Sequence, residues 1–342
     1  MTRYFLGLVS RLYGSAALAR RRWYASHPSA RRRLARPVVS IGNLSVGGAG
    51  KTPLVVAVAR LLLEMGERPS ILSRGYGRRC AGEGVVVVSD ALTRRASVSE
   101  AGDEPFMLAT ALPGAAVLVC EDRYKAGRLA ETQFGCTVHV LDDGFQHFGL
   151  ERDVDLLVVG GDDLDHPDPL PLGRLREPLA AAAAADAVLA SSMPGETARS
   201  LRVPCGFSVR RAIGRPRTSP TGARGGETPV APPGPVLALA GIARPQRFFD
   251  DLRAAGWTLA GTRTFPDHHW FSARDVAAVE DAARAAGAQA ILTTEKDMVR
   301  LANPDGARIP FLWVPLDSTP DEAFAPWLRE RLEQARLEHA TP

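Results

Sequence analysis

A glycine-rich segment that ends in a lysine and a threonine is the clearest chemical signal in the chain. Its residues are Ser45, Val46, Gly47, Gly48, Ala49, Gly50, Lys51 and Thr52. Glycines let a backbone wrap around phosphates, so that successive N–H groups and the start of the following helix face the negative charge. Lys51 would reach the β- and γ-phosphates, and the Thr52 hydroxyl would ligate Mg²⁺. The sequence therefore predicts a phosphate-binding loop for a nucleoside triphosphate.

The position of this segment supports the prediction. It follows a β-branched run at 38–41 and precedes a helical pattern at 54–65, which is the strand–loop–helix setting that such a loop requires. Ser45 stands where the usual pattern has its first glycine. A glycine-rich turn that binds no ligand is the alternative, and the setting makes it the weaker one.

Two adjacent aspartates, Asp142 and Asp143, follow an apolar run at 137–141. The carboxyl ends of strands in a parallel sheet are where ligand-binding groups lie, so the pair is expected to form an acidic metal site beside the loop. Neighbouring side chains on a strand diverge, so one is expected to contact Mg²⁺ or its water and the other a nearby group. Which one contacts the metal stays open, and paired aspartates also occur in turns.

Short apolar runs alternate with helical patterns from residue 37 onward. Such alternation predicts an α/β fold of the P-loop NTPase type, with a mostly parallel sheet covered by helices on both faces. The predicted strands lie at 38–41, 70–72, 85–88, 116–120, 137–141, 154–159, 187–190, 236–240 and 290–293. The predicted helices lie at 54–65, 180–185, 245–255, 275–286 and beyond 325.

A stretch rich in Gly, Pro, Arg, Ser and Thr divides the chain and lacks apolar periodicity. It predicts a linker over 212–235, between a phosphate-binding core domain over 37–211 and a smaller C-terminal α/β domain over 236–342. A length of 342 residues, with 45% apolar and 23% charged residues, suits a globular protein and excludes wholesale disorder. The four cysteines lack the spacing of a zinc site and suit a reducing cytoplasm; they are Cys80, Cys120, Cys136 and Cys205.

The first 36 residues form a basic segment with nine arginines and an apolar stripe. The stripe recurs at helical spacing and comprises Phe5, Leu8, Val9, Leu12 and Ala16. The 16 residues between Arg3 and Arg20 are interrupted by Arg11, so this amphipathic helix is too short to span a bilayer. It is expected to lie at an anionic membrane surface, with packing on the protein's own core as the alternative. Nucleic-acid binding ranks lower, because no aromatic interleaving accompanies the arginines.

Further motifs accompany the loop in a fixed order. They are IGNLSVGGAGKTP at 41–53, SRGYGR at 73–78, GDEP at 102–105, DDGFQH at 142–147, LREP at 175–178, FPDHH at 265–269 and TTEKD at 293–297. Together they resemble the tetraacyldisaccharide 4'-kinase family over residues 5–320. The resemblance implies transfer of the ATP γ-phosphate to the 4'-hydroxyl of an acylated glucosamine disaccharide 1-phosphate, which gives lipid IVA in lipid A biosynthesis. It also implies a peripheral enzyme on the cytoplasmic face of the bacterial inner membrane. No nucleic-acid partner is expected, and no obligate protein partner is evident.

The resemblance places a catalytic Asp–His pair on Asp103 and His268. A sugar hydroxyl is a poor nucleophile, so a nearby group must accept its proton while the phosphates are held in line. An imidazole hydrogen-bonded to a carboxylate can orient it and help to carry the proton away. Without the resemblance, Asp103 would be a helix-start or turn residue and His268 a surface histidine. Because His268 lies beyond the predicted linker, catalysis is expected to need closure of the second domain.

Other charged residues of the motifs are candidates for ligand contacts. The arginines Arg74, Arg78 and Arg123 are candidate substrate- or nucleotide-phosphate ligands. Each could instead be a solvated or salt-bridging arginine. Glu177 is a candidate for the magnesium shell, and the alternative is a helix-start residue before Pro178. The sequence leaves open whether Glu295, Lys296 and Asp297 contact the nucleotide or cap the following helix.

A membrane-associated P-loop ATPase of the positioning or switch type is the main alternative function. The phosphate-binding loop of those ATPases resembles residues 47–52 of this chain but carries a lysine just before the paired glycines. In this chain the residue at that position is Val46, which argues against this alternative. A nucleic-acid-binding ATPase rests only on the arginine-rich segment and the net charge of +4. Binding that needed no acidic lipid but tightened on nucleic acid would favour that third interpretation.

Overall fold

Two β-sheets flanked by helices organise the computed structural model of the chain, which describes residues 2–47, 50–79, 84–218, 234–302 and 304–340. In chain order the strands are β1 (Val38–Gly42), β2 (Pro69–Ser73), β3 (Val86–Asp90), β4 (Ala116–Val119), β5 (Val138–Asp142), β6 (Val154–Val159), β7 (Ala187–Ala190), β8 (Cys205–Ile213), β9 (Val236–Ala240), β10 (Leu259–Thr264), β11 (Ala290–Thr294), β12 (Phe311–Val314) and β13 (Leu316–Pro320). The α-helices are α1 (Thr2–Ser26), α2 (Lys51–Glu64), α3 (Val98–Ala101), α4 (Asp103–Ala111), α5 (Arg123–Phe134), α6 (Gly161–Asp165), α7 (Pro194–Leu201), α8 (Pro245–Ala254), α9 (Ala273–Ala285), α10 (Glu295–Met298) and α11 (Phe324–Ala340). Short 3₁₀ helices cover Pro28–Ala30, Leu179–Ala184 and Pro304–Gly306.

The larger sheet contains nine described strands in the order β13, β8, β7, β6, β1, β5, β2, β4, β3. Neighbours run parallel except at the two edges, where β3 is antiparallel to β4 and β13 to β8. Alternate residues of β5 enter different cores: Val138 and Val140 pack in the cluster that contains α2, and Leu141 packs in the cluster that contains α5. Helices therefore cover both faces, and the predicted α/β fold is confirmed.

Adjacent parallel strands bring the loop and the aspartates together. In the register of β1 and β5, Ile41 lies opposite Asp142, so both strands end at the same edge of the sheet. Gly42 ends β1, where a Cβ would lie 2.5 Å from Cβ of Phe145 and 2.7 Å from its backbone nitrogen. A larger residue would push apart the loop and the segment after β5, so glycine is required there.

The smaller sheet contains four described parallel strands in the order β10, β9, β11, β12. After β12 the chain returns to the larger sheet, where β13 pairs with β8 and α11 packs Phe324, Leu328 and Leu332 into the core beside α2. Residues 316–340 therefore lie with the larger sheet and not with the smaller one, although the sequence predicts one C-terminal unit over 236–342. Most of the predicted linker, residues 219–233, lies outside the described residues, as does Cys80.

Helix α1 has a packed face and an exposed face. Its Ser10 hydroxyl donates to the Pro169 carbonyl at 2.7 Å, and Gly14 packs against Pro178. The exposed face carries Tyr4, Phe5, Leu8, Leu12 and Trp23, each with about half or more of its side chain in solvent. Of the predicted apolar stripe, Phe5, Leu8, Leu12 and Ala16 are exposed and Val9 is half-buried. Among the described residues, no helix combines the length and the apolar content needed to cross a membrane.

Candidate active site

The phosphate-binding loop connects β1 to α2. Gly47 and Gly50 have φ angles of 89° and 77°, a left-handed conformation that glycine adopts without strain. Gly50 is the N-cap of α2, so the first N–H groups of that helix have no partner within the helix and are directed towards the loop. The predicted loop residues Gly48 and Ala49 lie outside the described part of the chain.

Lys51 is held between an amide and a carboxylate. Its Nζ donates to Oδ1 of Asn43 at 2.8 Å and lies 3.3 Å from Oδ1 of Asp143. Asn43 donates in turn from Nδ2 to the Ser45 hydroxyl oxygen at 3.0 Å. Thr52 lines the same cleft as Lys51. The ammonium group therefore lies between the loop and the acidic pair, where a phosphate and a metal ion would meet.

Arg174 fixes the loop from outside. The Val46 N–H donates to the Arg174 carbonyl at 2.8 Å, and Nη2 of Arg174 donates back to the Val46 carbonyl at 2.6 Å. A Cβ on Gly47 would lie 2.8 Å from the same Nη2. These reciprocal hydrogen bonds keep the loop in place without a ligand, because they satisfy backbone groups that would otherwise face solvent.

Asp142 ends β5 as a buried carboxyl group. Its Oδ2 accepts a hydrogen bond from the Ser73 hydroxyl at 3.1 Å. Burial, together with the carboxylates of Glu104 and Asp143, raises the pKa of Asp142 to about 7. Negative charge is therefore concentrated at this end of the sheet, as a cation site would require.

Asp143 follows with a φ angle of 55°, a left-handed conformation that is uncommon for a non-glycine residue. Its Oδ2 accepts from Nη1 of Arg176 at 2.7 Å. Burial opposes its ionisation, but Lys51 and Arg176 outweigh burial and lower the pKa of Asp143. Its buried Oδ1 lies 3.3 Å from Nζ of Lys51 in an ion pair and accepts no geometrically aligned hydrogen bond among the described residues.

These donors fit a magnesium ion. Mg²⁺ takes oxygen ligands and is commonly bound by one or two carboxylates together with phosphates and water. Asp142 and Asp143 offer carboxylate oxygens at one sheet edge, and Thr52 offers a hydroxyl at the start of α2. Within the described residues, no group of three or more His, Cys, Asp or Glu side chains is placed to hold a metal on its own. The ion would therefore depend on nucleotide phosphates for further ligands.

Glu177 binds an arginine of α1. Its Oε2 lies 2.7 Å from Nε of Arg21 and its Oε1 lies 2.8 Å from Nη2, while Arg21 also donates to the Phe145 carbonyl at 3.1 Å. Both carboxylate oxygens are thus engaged in a two-point ion pair. Each oxygen keeps a second lone pair, and the predicted role of Glu177 in the magnesium shell stays a prediction.

Asp103 and His268 meet across the cleft. Oδ2 of Asp103 lies 2.9 Å from Nδ1 of His268, and Asp103 is 3% exposed at the first position of α4. The helix N-terminus favours its carboxylate form. His268 has a φ angle of 61°, an uncommon conformation for a non-glycine residue and one that recurs at functional sites.

Two cations complete this cluster, both from residues 236–314 around the smaller sheet, which we call the smaller unit. Lys296 Nζ lies 3.2 Å from Nε2 of His268 and 3.3 Å from Oε1 of Glu104. Arg300 Nε lies 3.6 Å from Oδ2 of Asp103. Burial opposes ionisation of Asp103, but the hydrogen bond from His268 and the charges of Lys296 and Arg300 lower its pKa. Lys296 can only donate to Nε2, so Nδ1 of His268 carries the hydrogen that it donates to Asp103 in a hydrogen bond.

The three predicted phosphate-binding arginines occupy different places. Arg74 and Arg123 line the cleft, and Arg123 is 6% exposed. Burial lowers the pKa of Arg123, Asp142 opposes that effect and the nearby charge of Arg74 adds to it. Arg78 is not among the described residues that line the cleft; its Nε donates to the Gly75 carbonyl at 3.2 Å, and its buried Nη1 has no hydrogen-bond partner in the described chain.

The cleft that contains these groups lies between the two sheets and has a volume of about 2070 Å³. Single small-molecule sites commonly occupy about 300–1,000 Å³. Lys51, Asp142 and His268 all line it. The cleft therefore has room for a nucleotide and part of a second substrate at the same time.

Sequence reasoning left the role of Lys296 open and did not identify Arg21, Arg176 or Arg300. Lys296 lies inside the TTEKD motif and Arg176 inside the LREP motif. The motifs therefore marked both residues as candidates but did not indicate what either one contacts. Arg21 belongs to a run of three arginines, and nothing in the sequence distinguishes the one that binds Glu177.

The strand–loop–helix junction and the adjacent acidic pair define a P-loop nucleotide-binding protein. A profile of the family described as tetraacyldisaccharide-1-P 4'-kinase matches residues 2–333. The chain belongs to this kinase family.

Individual relatives agree with the family match. The tetraacyldisaccharide 4'-kinase of Geobacter sulfurreducens is 39% identical over 327 residues, which cover 93% of this chain and 91% of the relative. The protein of the same name from Methylobacterium nodulans is 41% identical over 332 residues, which cover 96% and 90%. The crystal structure of LpxK from Aquifex aeolicus, described as an "apo" form in complex with ATP, is similar with a TM-score of 0.78. It has 30% identity and covers 97% of this chain and 100% of that chain.

Proposed function

We propose that the chain transfers the γ-phosphate of ATP to the 4'-hydroxyl of a tetraacylated glucosamine disaccharide 1-phosphate and so forms lipid IVA. The observation that carries the proposal is the Asp103–His268 pair, which shares one cleft with Lys51 of the phosphate-binding loop. The names of the relatives support the acceptor, and the ATP in the Aquifex aeolicus structure supports the donor.

Residues 45–52 would bind the triphosphate. Backbone N–H groups at the start of α2 would face the β- and γ-phosphates, and Lys51 would neutralise their charge. The proposed magnesium ligands are Thr52, Asp142 and Asp143, with Glu177 as a further ligand. When bound, the ion supplies charge neutralisation at the phosphates.

Asp103 would accept the proton of the attacking hydroxyl. The 4'-oxygen forms a bond to the γ-phosphorus as the bond between that phosphorus and the β–γ bridging oxygen breaks, so ADP leaves and the proton passes to Asp103. His268 would hold the carboxylate in place through its Nδ1–H, and Lys296 fixes the tautomer that makes this possible. His268 comes from the smaller unit, so the pair depends on the relative position of the two sheets.

The arginines would bind phosphate of the acceptor or the donor. Arg74 and Arg123 are the better placed, because both line the cleft near Asp142. Arg78 is proposed as a third contact, supported by its buried Nη1, which bonds to none of the described residues. Guanidinium groups bind phosphate through two parallel hydrogen bonds, which suits a sugar 1-phosphate.

The exposed face of α1 would lie in the interface of an anionic membrane. Phe5, Leu8 and Leu12 project from the protein, and arginines on the same segment would meet acidic headgroups. A substrate with four acyl chains stays in the bilayer, so the cleft must be brought to the membrane surface. The proposed location is the cytoplasmic face of the bacterial inner membrane, where the protein is peripheral.

A labelled phosphoryl-transfer assay tests this function. Purified protein in detergent is incubated with γ-labelled ATP and the acylated disaccharide 1-phosphate, and the lipids are then separated. We expect label at the 4'-position, and Lys51→Ala should abolish it. Folded protein that binds ATP but leaves the lipid unlabelled would overturn the proposal.

A further inference from the structure

Arg211 of β8 lies against the phosphate-binding loop. A Cβ on Gly50 would lie 3.1 Å from Cζ and Nη2 of Arg211 and 3.3 Å from Nη1, so the flat guanidinium covers the backbone of Gly50. Arg211 lines the same cleft as Lys51 and Thr52. Its side chain makes no hydrogen bond or ion pair with any residue that the structure describes. A half-buried cation beside the loop thus has no bonded anion in the described part of the chain.

Two further arginines approach Arg211 from the smaller unit. Arg244 precedes α8 and Arg247 lies in its first turn, and both line the cleft with Arg211. Burial lowers the pKa of Arg211, Arg247 and Arg244 lower it further, and Asp251 opposes them. Like charges gathered in a place of reduced solvation raise the free energy of the ligand-free protein, and an anion bound between them removes that cost.

The structural alternative is that Arg211 only supports the loop. A supporting arginine typically donates to backbone carbonyls, as Arg174 does to Val46 on the other side of the loop. The Arg211 guanidinium instead donates to none of the described residues, and the exposed Arg247 acts on it as a like charge. This arrangement suits a multiply charged ligand that neither unit binds alone.

We infer that Arg211 and Arg247 are phosphate-binding residues that hold the terminal phosphates of the nucleoside triphosphate together with Lys51. The inference rests on the proposed nucleotide-dependent function and assigns a second set of cations to the same site. Guanidinium groups are suited to this role because their fixed forks match phosphate oxygens. In phosphoryl transfer, an arginine at the γ-phosphate also neutralises charge that develops in the transition state.

Nucleotide titrations without lipid test the inference. Dissociation constants for ATP, ADP and AMP are measured by calorimetry for Arg211→Ala and Arg247→Ala. We expect the constant for ATP to rise about 10–100-fold in Arg211→Ala, as for the loss of a charge-assisted hydrogen bond, and less in Arg247→Ala. The constant for AMP should change less than about 2-fold, because AMP lacks the terminal phosphates.

Arg210 provides a matched control. It is the neighbouring arginine on β8, is exposed and points to the opposite face of the sheet, so Arg210→Ala should bind ATP like the unchanged protein. Arg211→Lys keeps the charge but loses the fork, and an intermediate affinity is expected. It also serves as the test variant if Arg211→Ala does not fold.

Three results would overturn the inference. The first is an unchanged affinity for ATP in Arg211→Ala, and the second is an equal loss of affinity for ATP and for AMP. The third is a rise only in the KM for the lipid, which would assign Arg211 to the 1-phosphate of the acceptor. Because the titrations contain no lipid, a failed lipid-phosphorylation assay would overturn the proposed acceptor and leave the nucleotide result intact.

Discussion

Oδ2 of Asp103 lies 2.9 Å from Nδ1 of His268, although 165 residues separate the two along the chain. Asp103 is the first residue of α4, which packs on the larger sheet, and His268 follows strand β10 of the smaller sheet. The hydrogen bond therefore exists only when the two units are correctly placed. Any motion that opens the cleft would also separate the proposed base from the group that orients it.

Replacing the proposed base should reduce turnover and spare nucleotide binding. Asp103→Asn removes the proton acceptor with little change of shape, and loss of a general base typically costs about 10²–10⁴-fold in kcat. The dissociation constant for ATP should stay within about 2-fold, because Asp103 is not among the loop residues. Steady-state kinetics and calorimetry on the same preparation check both values. Full turnover in Asp103→Asn would remove Asp103 from its proposed role.

His268 and His269 offer a comparison between neighbours. His268→Gln should lower kcat because it loses the Nδ1–H that orients Asp103. His269 instead pairs with Asp275 and stacks on Phe265, so His269→Gln should leave kcat nearly unchanged. Equal losses in the two variants would indicate that the loop as a whole is disturbed, and the specific role of His268 would be wrong.

Lys296 should set the pH dependence of turnover. Its charge helps to lower the pKa of Asp103, and turnover requires Asp103 in the ionised form. In Lys296→Met the pKa of Asp103 should rise, so the acid limb of the pH–kcat profile should move to higher pH. Lys296→Arg keeps the charge and should keep the limb near its original position. A limb that stays fixed in Lys296→Met would contradict this electrostatic role.

The fold followed from local patterns, because each strand carries its own signal. Apolar runs such as 38–41 and 154–159 predicted β1 and β6 to within a residue, and glycines with lysine and threonine predicted the junction of β1 and α2. The return of the chain to the larger sheet was not predicted, because β13 (Leu316–Pro320) is not strongly apolar and its pairing with β8 depends on distant residues.

The contacts within the site were less predictable than its residues. Motifs pointed to Asp103, Asp142 and His268, but no pattern in a sequence states which cation will lie beside which carboxylate. The pairing of Arg21 with Glu177 spans 156 residues and depends on where α1 docks. Such contacts arise from tertiary packing, which a local pattern does not contain.

That Arg21–Glu177 ion pair should contribute to stability. The side chains are 11% and 3% exposed, and removing one partner of a buried pair leaves the other charge uncompensated. Arg21→Met should lower the free energy of unfolding by about 3 kcal/mol. The double variant Arg21→Met with Glu177→Gln should lose less than the sum of the single changes. Urea unfolding measures all three, with Arg22→Met on the exposed side of α1 as the control; an additive double variant would contradict the coupling.

Glu295 should make stability depend on pH. Burial raises its pKa to about 7, against the opposing charges of Arg217 and Arg60. Between about pH 4.5 and 7 the folded protein keeps a proton that the unfolded chain releases, so this group's contribution to stability falls as pH rises through that window. The free energy of unfolding that Glu295 contributes falls by at most about 3 kcal/mol across this window.

Two glutamine variants isolate that contribution. Glu295→Gln does not titrate, so its stability relative to the unchanged protein should increase between pH 5 and pH 8. Glu322→Gln, at an exposed glutamate that lines the same cleft, controls for the loss of a carboxylate from this surface. Urea unfolding at intervals of one pH unit gives both curves. Parallel curves for Glu295→Gln and the unchanged protein would show that Glu295 does not hold its proton in the folded state.

The exposed face of α1 should decide membrane binding. The triple variant Phe5→Ser, Leu8→Ser and Leu12→Ser removes three large side chains that are 66%, 58% and 63% exposed, so the fold should lose little stability. Burial of apolar surface in the interface drives binding, and losing about 3 kcal/mol of it lowers the partition coefficient more than about 100-fold. Sedimentation with vesicles containing anionic lipid measures this coefficient.

Leu92→Ser, at a leucine that is 92% exposed and distant in sequence, controls for loss of any surface leucine. Unchanged sedimentation of the triple variant, or binding that needs nucleic acid instead of acidic lipid, would show that this face has another partner.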